Sequence, residues 1–245
     1  MQKTSRIYGI RAVIEAINSK SAIDKIFIQK GLGGSLYKEL ESLIRENGIS
    51  FSYVPIEKLN RLTRNNHQGV IANISPIEFY KFETLVEEVL EKKEAPLFLL
   101  LDQLSDVRNF GAIIRTAECT GVDGIVIQKK GAAPVTEDTI KTSAGAAFKV
   151  PIAKIDHLKD AVFYLQSSGI QVIAATEKTE HSIYDINFKV PCAIIMGSED
   201  TGISPSILKI ADHKAKLPLL GEIASLNVSV ACAVFLYEAV RQRIT

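Results

Sequence analysis

The chain has 245 residues, 47% of them hydrophobic and 23% charged, with a formal net charge of +1. This is the composition of an ordinary globular protein of one or two domains, and it excludes collagenous, disordered and disulfide-framed classes. No apolar run approaches the roughly 20 residues that span a bilayer, and the start, MQKTSRIYGIRAV, lacks the apolar core and cleavage site of a signal peptide; the expected location is the cytoplasm. Cys119, Cys192 and Cys232 are odd in number, widely spaced and set among apolar residues, so they are expected as buried fillers in a reducing compartment. His67, His157, His181 and His213 are equally scattered, and no metal-ligand spacing is present.

Residues 1–75 hold 11 Lys+Arg against 6 Asp+Glu. A basic front on a near-neutral remainder suggests that an anionic partner is held there, although a solvated basic face is the plain alternative. Tyr8-Gly9 opens a helix with Ile10, Val13, Ile14 and Ile17 at helical spacing. Ala22 to Gln29 alternates as a strand. Ser35 to Glu46 is an amphipathic helix stopped by Asn47-Gly48. Ser50 to Val54 is a strand, Pro55 begins a short helix at its first position, and Gly69 to Ile74 is another strand. These make a small α/β domain over residues 1–75. Arg61, Arg64, Asn65, Asn66, His67 and Gln68 cluster before its last strand and suit phosphate and base contacts; a polar loop is the alternative. Residues 76–95 are acidic, contain a helical segment, Phe82 to Lys93, and read as a linker.

Residues 96–245 resume strand–helix alternation. Leu97 to Asp102 is a strand of the buried parallel kind. A helix follows from Asn109 to Cys119, then a strand, Gly124 to Gln128. Thr136 caps a helix to Ala144, and Leu158 to Ser168 is a helix ended by Gly169. Strands follow at Gln171 to Ala175 and Ala193 to Met196, and a short one at Ala215 to Leu217, stopped by Pro218. Ser225 is the expected N-cap of the last helix, Asn227 to Gln242. The fold class is α/β with a mostly parallel sheet.

Three stretches carry the chemistry. In LDQLSDVRNFGAIIRTAECTG, Leu101 to Gly121, Asn109 and Arg115 lie six apart, about 240° round a helix, so they do not share one face. Arg115 sits among Ile113, Ile114 and Ala117, and a charge there needs a partner if buried. It either pairs with a carboxylate such as Asp102 or Asp106, or offers its guanidinium to a ribose and phosphate. In AIIMGSEDTGIS, Ala193 to Ser204, Gly197 permits close approach of a flat ring to the backbone. The GxExxG spacing of Gly197, Glu199 and Gly202 is not the dinucleotide pattern. In LPLLGEIASLNVSVA, Leu217 to Ala231, a strand end, an open loop and a helix start follow one another, as they do where open α/β sheets bind ligands.

In order and spacing these stretches resemble the motif set of SpoU-type (TrmH/RlmB-like) RNA ribose 2′-O-methyltransferases of the SPOUT superfamily. The likeness spans nearly the whole chain and is nearest to the enzymes that methylate a guanosine of 23S ribosomal RNA. The resemblance implies a catalytic domain with a deep trefoil knot, preceded by a ribosomal-protein-like RNA-binding domain. It implies S-adenosylmethionine as methyl donor, held by Gly197, Leu217, Leu226, Thr176 and Gly202, with Glu177 beside Thr176, and no metal. It implies a catalytic set of Arg115, Asn109, Glu199, Ser225 and Asn227, in a homodimer whose sites lie near the subunit interface. Val228, Ala231, Val234, Phe235 and Leu236 of the last helix are the apolar positions expected to supply that interface. Val107 stands where the family usually has Pro, so a changed turn is expected there. Methylation of transfer RNA, or RNA binding without catalysis on the same fold, are the competing functions.

Overall fold

The structure is a computed structural model and describes residues 6–244. It divides into two compact units, one of the described residues up to Glu78 with Pro134–Glu137, the other of Phe79–Ala133 and Asp138 onward.

The first unit runs β1 (Arg6–Tyr8), α1 (Ile10–Asn18), β2 (Ile23–Gln29), α2 (Ser35–Glu46), β3 (Phe51–Val54), α3 (Ile56–Leu62) and β4 (Val70–Ile74). Its sheet order is β1-β4-β2-β3, parallel only between β2 and β3. The two-residue alternation of strands sorts its core onto both faces. Ile26, Ile28, Val70 and Ala72 meet Val13 and Ile17 of α1 and Leu40 and Ile44 of α2, while Ile71 meets Leu59 of α3. Strand β1 precedes the first helix without a sequence signal of its own; three residues are too few for alternation to register. Pro55 is the residue before α3, its ψ of 151° being extended, and not the first helical residue.

The second unit runs α4 (Phe82–Leu90), β5 (Leu97–Leu101), α5 (Val107–Cys119), β6 (Gly124–Gln128), α6 (Glu137–Thr142), β7 (Ile152–Ile155), α7 (Leu158–Ser167), β8 (Gln171–Ala175), β9 (Cys192–Met196), α8 (Pro205–Leu208), β10 (His213–Ala215) and α9 (Val228–Ile244). Its six strands are all parallel, in the order β10-β8-β9-β5-β6-β7. Every residue of β5 and β9 is buried, as expected of central strands covered on both faces. Phe98, Leu100, Ala193 and Ile195 pack under α4, α7 and α8, through Phe82, Val86, Val162, Leu165 and Ile207. On the other side α9 packs on β9 and α5 packs on α9.

Several expectations shift. The acidic stretch is helix α4, whose Phe82, Leu85 and Val86 enter the second unit's core. Strand β7 has little sequence signature, because only half of its four residues are buried. The short strand near Leu217 sits two residues earlier, at His213–Ala215. Cys119 is exposed, on the outer face of α5, whereas Cys192 and Cys232 are buried. Burial pushes the thiols of Cys192 and Cys232 up to about 11 and about 12, so neither is a thiolate nucleophile near neutrality.

Candidate functional site

The loops at the carboxyl ends of β5, β8, β9 and β10 belong to one sheet edge, the place where parallel α/β sheets receive ligands. Two helices start there. Asp106 caps α5, its Oδ1 accepting the amides of Arg108 at 2.9 Å and Asn109 at 2.8 Å. Val107 is the first residue of that helix, so the position usually held by Pro follows a capped helix start here. At α9 the cap is Asn227 and not Ser225. Asn227 Oδ1 accepts the Ser229 amide at 2.9 Å and the Ser229 hydroxyl at 2.6 Å.

With its carbonyl oxygen held in this way, Asn227 turns its amino group to the neighbouring motifs. Asn227 Nδ2 donates to Glu199 Oε1 at 2.9 Å and to Asn109 Oδ1 at 3.1 Å. Asn109 Nδ2 donates to the same Glu199 oxygen at 2.6 Å. Three residues from three separate stretches thus close a hydrogen-bonded triangle. The starts of two helices meet at its single carboxylate. Glu199 Oε2 accepts nothing among the described residues, so it is presented to whatever enters. Ser229, which fixes the amide of Asn227, lies inside the Leu217–Ala231 stretch but not among its expected site residues; its place two residues after a cap is the signal that marks it.

Beside the triangle lies a cleft of about 510 Å³ of empty space, part of it open. Met196, Ala215, Ala231 and Phe235 form an apolar wall, and Thr176, Glu177 and Ser225 supply polar groups. Leu217 and Leu226 line it too. The backbone of residues 217–226 makes no hydrogen bond among the described residues, leaving its N–H and C=O groups available to a ligand edge. Apolar walls with a few polar groups suit a flat heteroaromatic ring carrying a polar tail. Among the described residues no group of His, Cys, Asp and Glu is arranged to hold a metal ion.

Other expected site residues lie elsewhere. Gly197 and Gly202 do not line the cleft. A Cβ on Gly197 would stand 2.1 Å from the Gly202 carbonyl carbon and 2.3 Å from Ile203 N. The close approach it permits is therefore that of the chain's own turn, closed by Ser198–Gly202 backbone bonds, with Gly202 at φ +68°. Arg115 is exposed and makes no hydrogen bond or ion pair among the described residues; Asp102 bonds the Ser204 amide instead, and Asp106 caps α5. In the first unit, Arg61, Arg64, Asn65 and Gln68 are exposed, whereas His67 is not a surface group. It is 8% exposed, with Nδ1 accepting from the Gly69 amide at 3.0 Å and Nε2 against Asn60 Oδ1 at 2.9 Å. Both ring nitrogens are thereby satisfied in building the turn into β4.

Residues 96–237 match the SpoU rRNA methylase family model, and residues 6–80 match the model for the substrate-binding domain of RNA 2′-O ribose methyltransferases. A Staphylococcus aureus protein assigned to the TrmH family of tRNA/rRNA methyltransferases is 36% identical over 238 residues, covering 97% of this chain and 96% of its own. A Bacillus subtilis protein assigned to the same family is 32% identical over 242 residues, covering 99% and 97%. Among solved structures, an AdoMet-bound rRNA methyltransferase from Sinorhizobium meliloti superposes with a TM-score of 0.63 at 24% identity, covering 98% of this chain and 88% of its own.

Proposed function

The chain belongs to the SpoU rRNA methylase family and is an S-adenosylmethionine-dependent RNA methyltransferase, and on that premise we propose that it methylates a ribose 2′-hydroxyl, on a guanosine of 23S ribosomal RNA. The observation that carries the proposal is the Asn109–Glu199–Asn227 triangle beside an apolar cleft. S-adenosylmethionine, when bound, supplies an activated methyl group whose bond to sulfur breaks as a bond to the ribose oxygen forms. The chain's own task is then mainly to align the hydroxyl with that bond. Glu199 Oε2 accepts a hydrogen bond from the ribose, while the two asparagines hold Oε1 and prevent the carboxylate from turning. Thr176, Leu217, Ser225 and Leu226 hold the cofactor in the cleft. The turn from Gly197 to Gly202 places Glu199.

A hydroxyl must lose its proton as the new bond forms, here to a phosphate oxygen of the substrate, and a guanidinium beside the oxygen lowers the energy of the developing alkoxide. Arg115 is the group for this role. Exposed, and unpaired among the described residues of its own subunit, it serves the site of a second copy in the homodimer that belongs to the same proposal. Of the positions expected at a dimer interface, Val228, Phe235 and Leu236 are buried within the subunit, whereas Val234 is exposed. Exposed apolar side chains of α9 include Val230, Val234 and Tyr237, with Tyr184 beside them.

Residues 1–75 hold the RNA, through Arg61, Arg64, Asn65 and Gln68, and residues 96–245, with α4 packed into their core, catalyse. The trefoil knot is part of the proposal, supported by the order β10-β8-β9-β5 and the return of α9 onto α5. No helix among the described residues is long and apolar enough to cross a membrane. Mapping ribose methylation in cells with and without the gene tests the reading. The expected result is one 23S guanosine methyl that disappears with the gene and returns with the wild-type chain. Loss of a transfer RNA methyl would assign the competing substrate, and no lost methyl would point to RNA binding without catalysis.

A further inference from the structure

We propose that the second unit carries an RNA-binding surface apart from the triangle and the cleft: a groove along the free edge of β10 that takes backbone phosphates of the substrate strand. The inference rests on the reading of the chain as an RNA ribose methyltransferase. The groove encloses about 880 Å³, part of it open, between the segment after β8 and the segment through β10. Lys178 and His181 stand on the first segment, and His213 and Lys214 on the second. None of these four side chains makes a hydrogen bond or ion pair among the described residues.

The groove's two carboxylates, by contrast, are turned to the backbone and to neutral donors. Asp212 accepts from the Val172 amide at 2.7 Å and from Gln166 Nε2 at 2.9 Å, and Asp185 accepts from the Ser182 amide at 2.8 Å. The outlying Glu180 is occupied by Lys216 at 3.0 Å. Two unmatched lysines and two imidazoles are thus left facing a polar groove, the donor set that phosphate oxygens require.

Continuity with the cofactor cleft makes the occupant the substrate strand itself. Both walls of the groove continue walls of the cleft: Glu177 and Ala215 line the cleft, and their immediate neighbours Lys178 and Lys214 line the groove. From Ala215 back to His213 the strand covers about 7 Å. A substrate strand whose ribose is held at the triangle beside the cleft, and which runs back along β10, therefore meets these cations next.

The test is binding of protein-free 23S ribosomal RNA to the full chain over a salt series, comparing wild type, the double variant K178Q/K214Q, and a control, K159Q/K189Q, altered at exposed lysines outside the groove. For single-stranded RNA, every phosphate that a lysine no longer neutralises reduces the slope of log affinity against log salt by about 0.7. The groove variant should flatten the slope by about 1.4 and bind roughly 5- to 30-fold more weakly near 0.1 M salt, with S-adenosylmethionine affinity unchanged. Unchanged affinity and slope, or an equal loss in the control, would overturn the groove. A wild-type chain that binds RNA through the groove yet transfers no methyl group would sink the catalytic reading and leave the groove standing.

Discussion

Asn227 uses both ends of its amide: the oxygen caps α9 and the amino group bonds Glu199 and Asn109. The two roles separate by substitution. Asn227→Asp keeps a good capping oxygen but sets a second carboxylate against Glu199 in place of a donor. Its melting temperature should stay near that of wild type while methyl transfer falls about tenfold or more, equivalent to ~1.4 kcal/mol of lost transition-state alignment. Asn227→Ala should lose the activity and also about 1 kcal/mol of stability. Equal activity in the Asp variant would show that the triangle does not position the ribose. Arg115→Ala removes a side chain with no partner among the described residues of its own subunit, so the fold should not notice. Turnover should fall by about 10²-fold or more, the scale of losing a preorganised charge-stabilising donor, with cofactor affinity unchanged. Near-normal turnover would take Arg115 out of the reaction.

At the level of elements, the start of α5 makes a stability prediction that departs from intuition. Val107 is the first helical residue, and its amide donates no hydrogen bond among the described residues. Asp106 before it has φ −78° and ψ 122°, the extended backbone that a following proline requires. Val107→Pro should therefore be accepted, because the fixed φ of proline suits the first helical position and narrows the unfolded ensemble. A gain of about 0.4–1 kcal/mol is expected, or ~1–4 °C in melting temperature for a chain of this size, with activity unchanged. A lower melting temperature would mean that the Val107 side chain contributes packing that proline cannot replace. The far end of α9 is fastened differently. The guanidinium of Arg243 donates to the carbonyls of Phe188, Ala95, Pro96 and Val190. These tie the last turn of the chain to the segments that enter β5 and β9.

For the whole molecule, subunit assembly and the division into units each carry a prediction. Val230, Val234 and Tyr237 present an exposed apolar strip on α9, the kind of self-complementary patch a two-fold dimer uses. Val234→Glu should leave the monomer folded but shift sedimentation at micromolar concentration from dimer to monomer, and activity should fall with it. A fully active monomer would refute the shared site. The two units have separate cores. Removing residues 1–75 should accordingly leave S-adenosylmethionine binding mostly intact, while weakening RNA binding and its salt dependence, because the excess positive charge lies there. Unchanged RNA affinity in a folded truncation would place the main substrate surface in the second unit.

By itself the sequence determined the class of fold, the family and most of the elements. The spacing that buries one face of a helix or strand recurs every few residues and is written locally in the chain. The all-buried runs of β5 and β9 and the helical stripe of α2 are legible in this way. Asn109, Glu199 and Asn227 are candidate site residues through the resemblance of their stretches to a known motif set, not through any local period. Only the tertiary structure decided how those residues meet. The triangle joins positions 90 and 118 residues apart, and no local period encodes which oxygen of Glu199 receives both amides. The same reason explains the corrections. His67 turns inward, the Gly197 turn closes on itself, Arg115 faces outward, and Asn227 takes the cap expected of Ser225. Each outcome depends on which distant backbone or side chain arrives alongside, and that is set by the order of strands in the sheet.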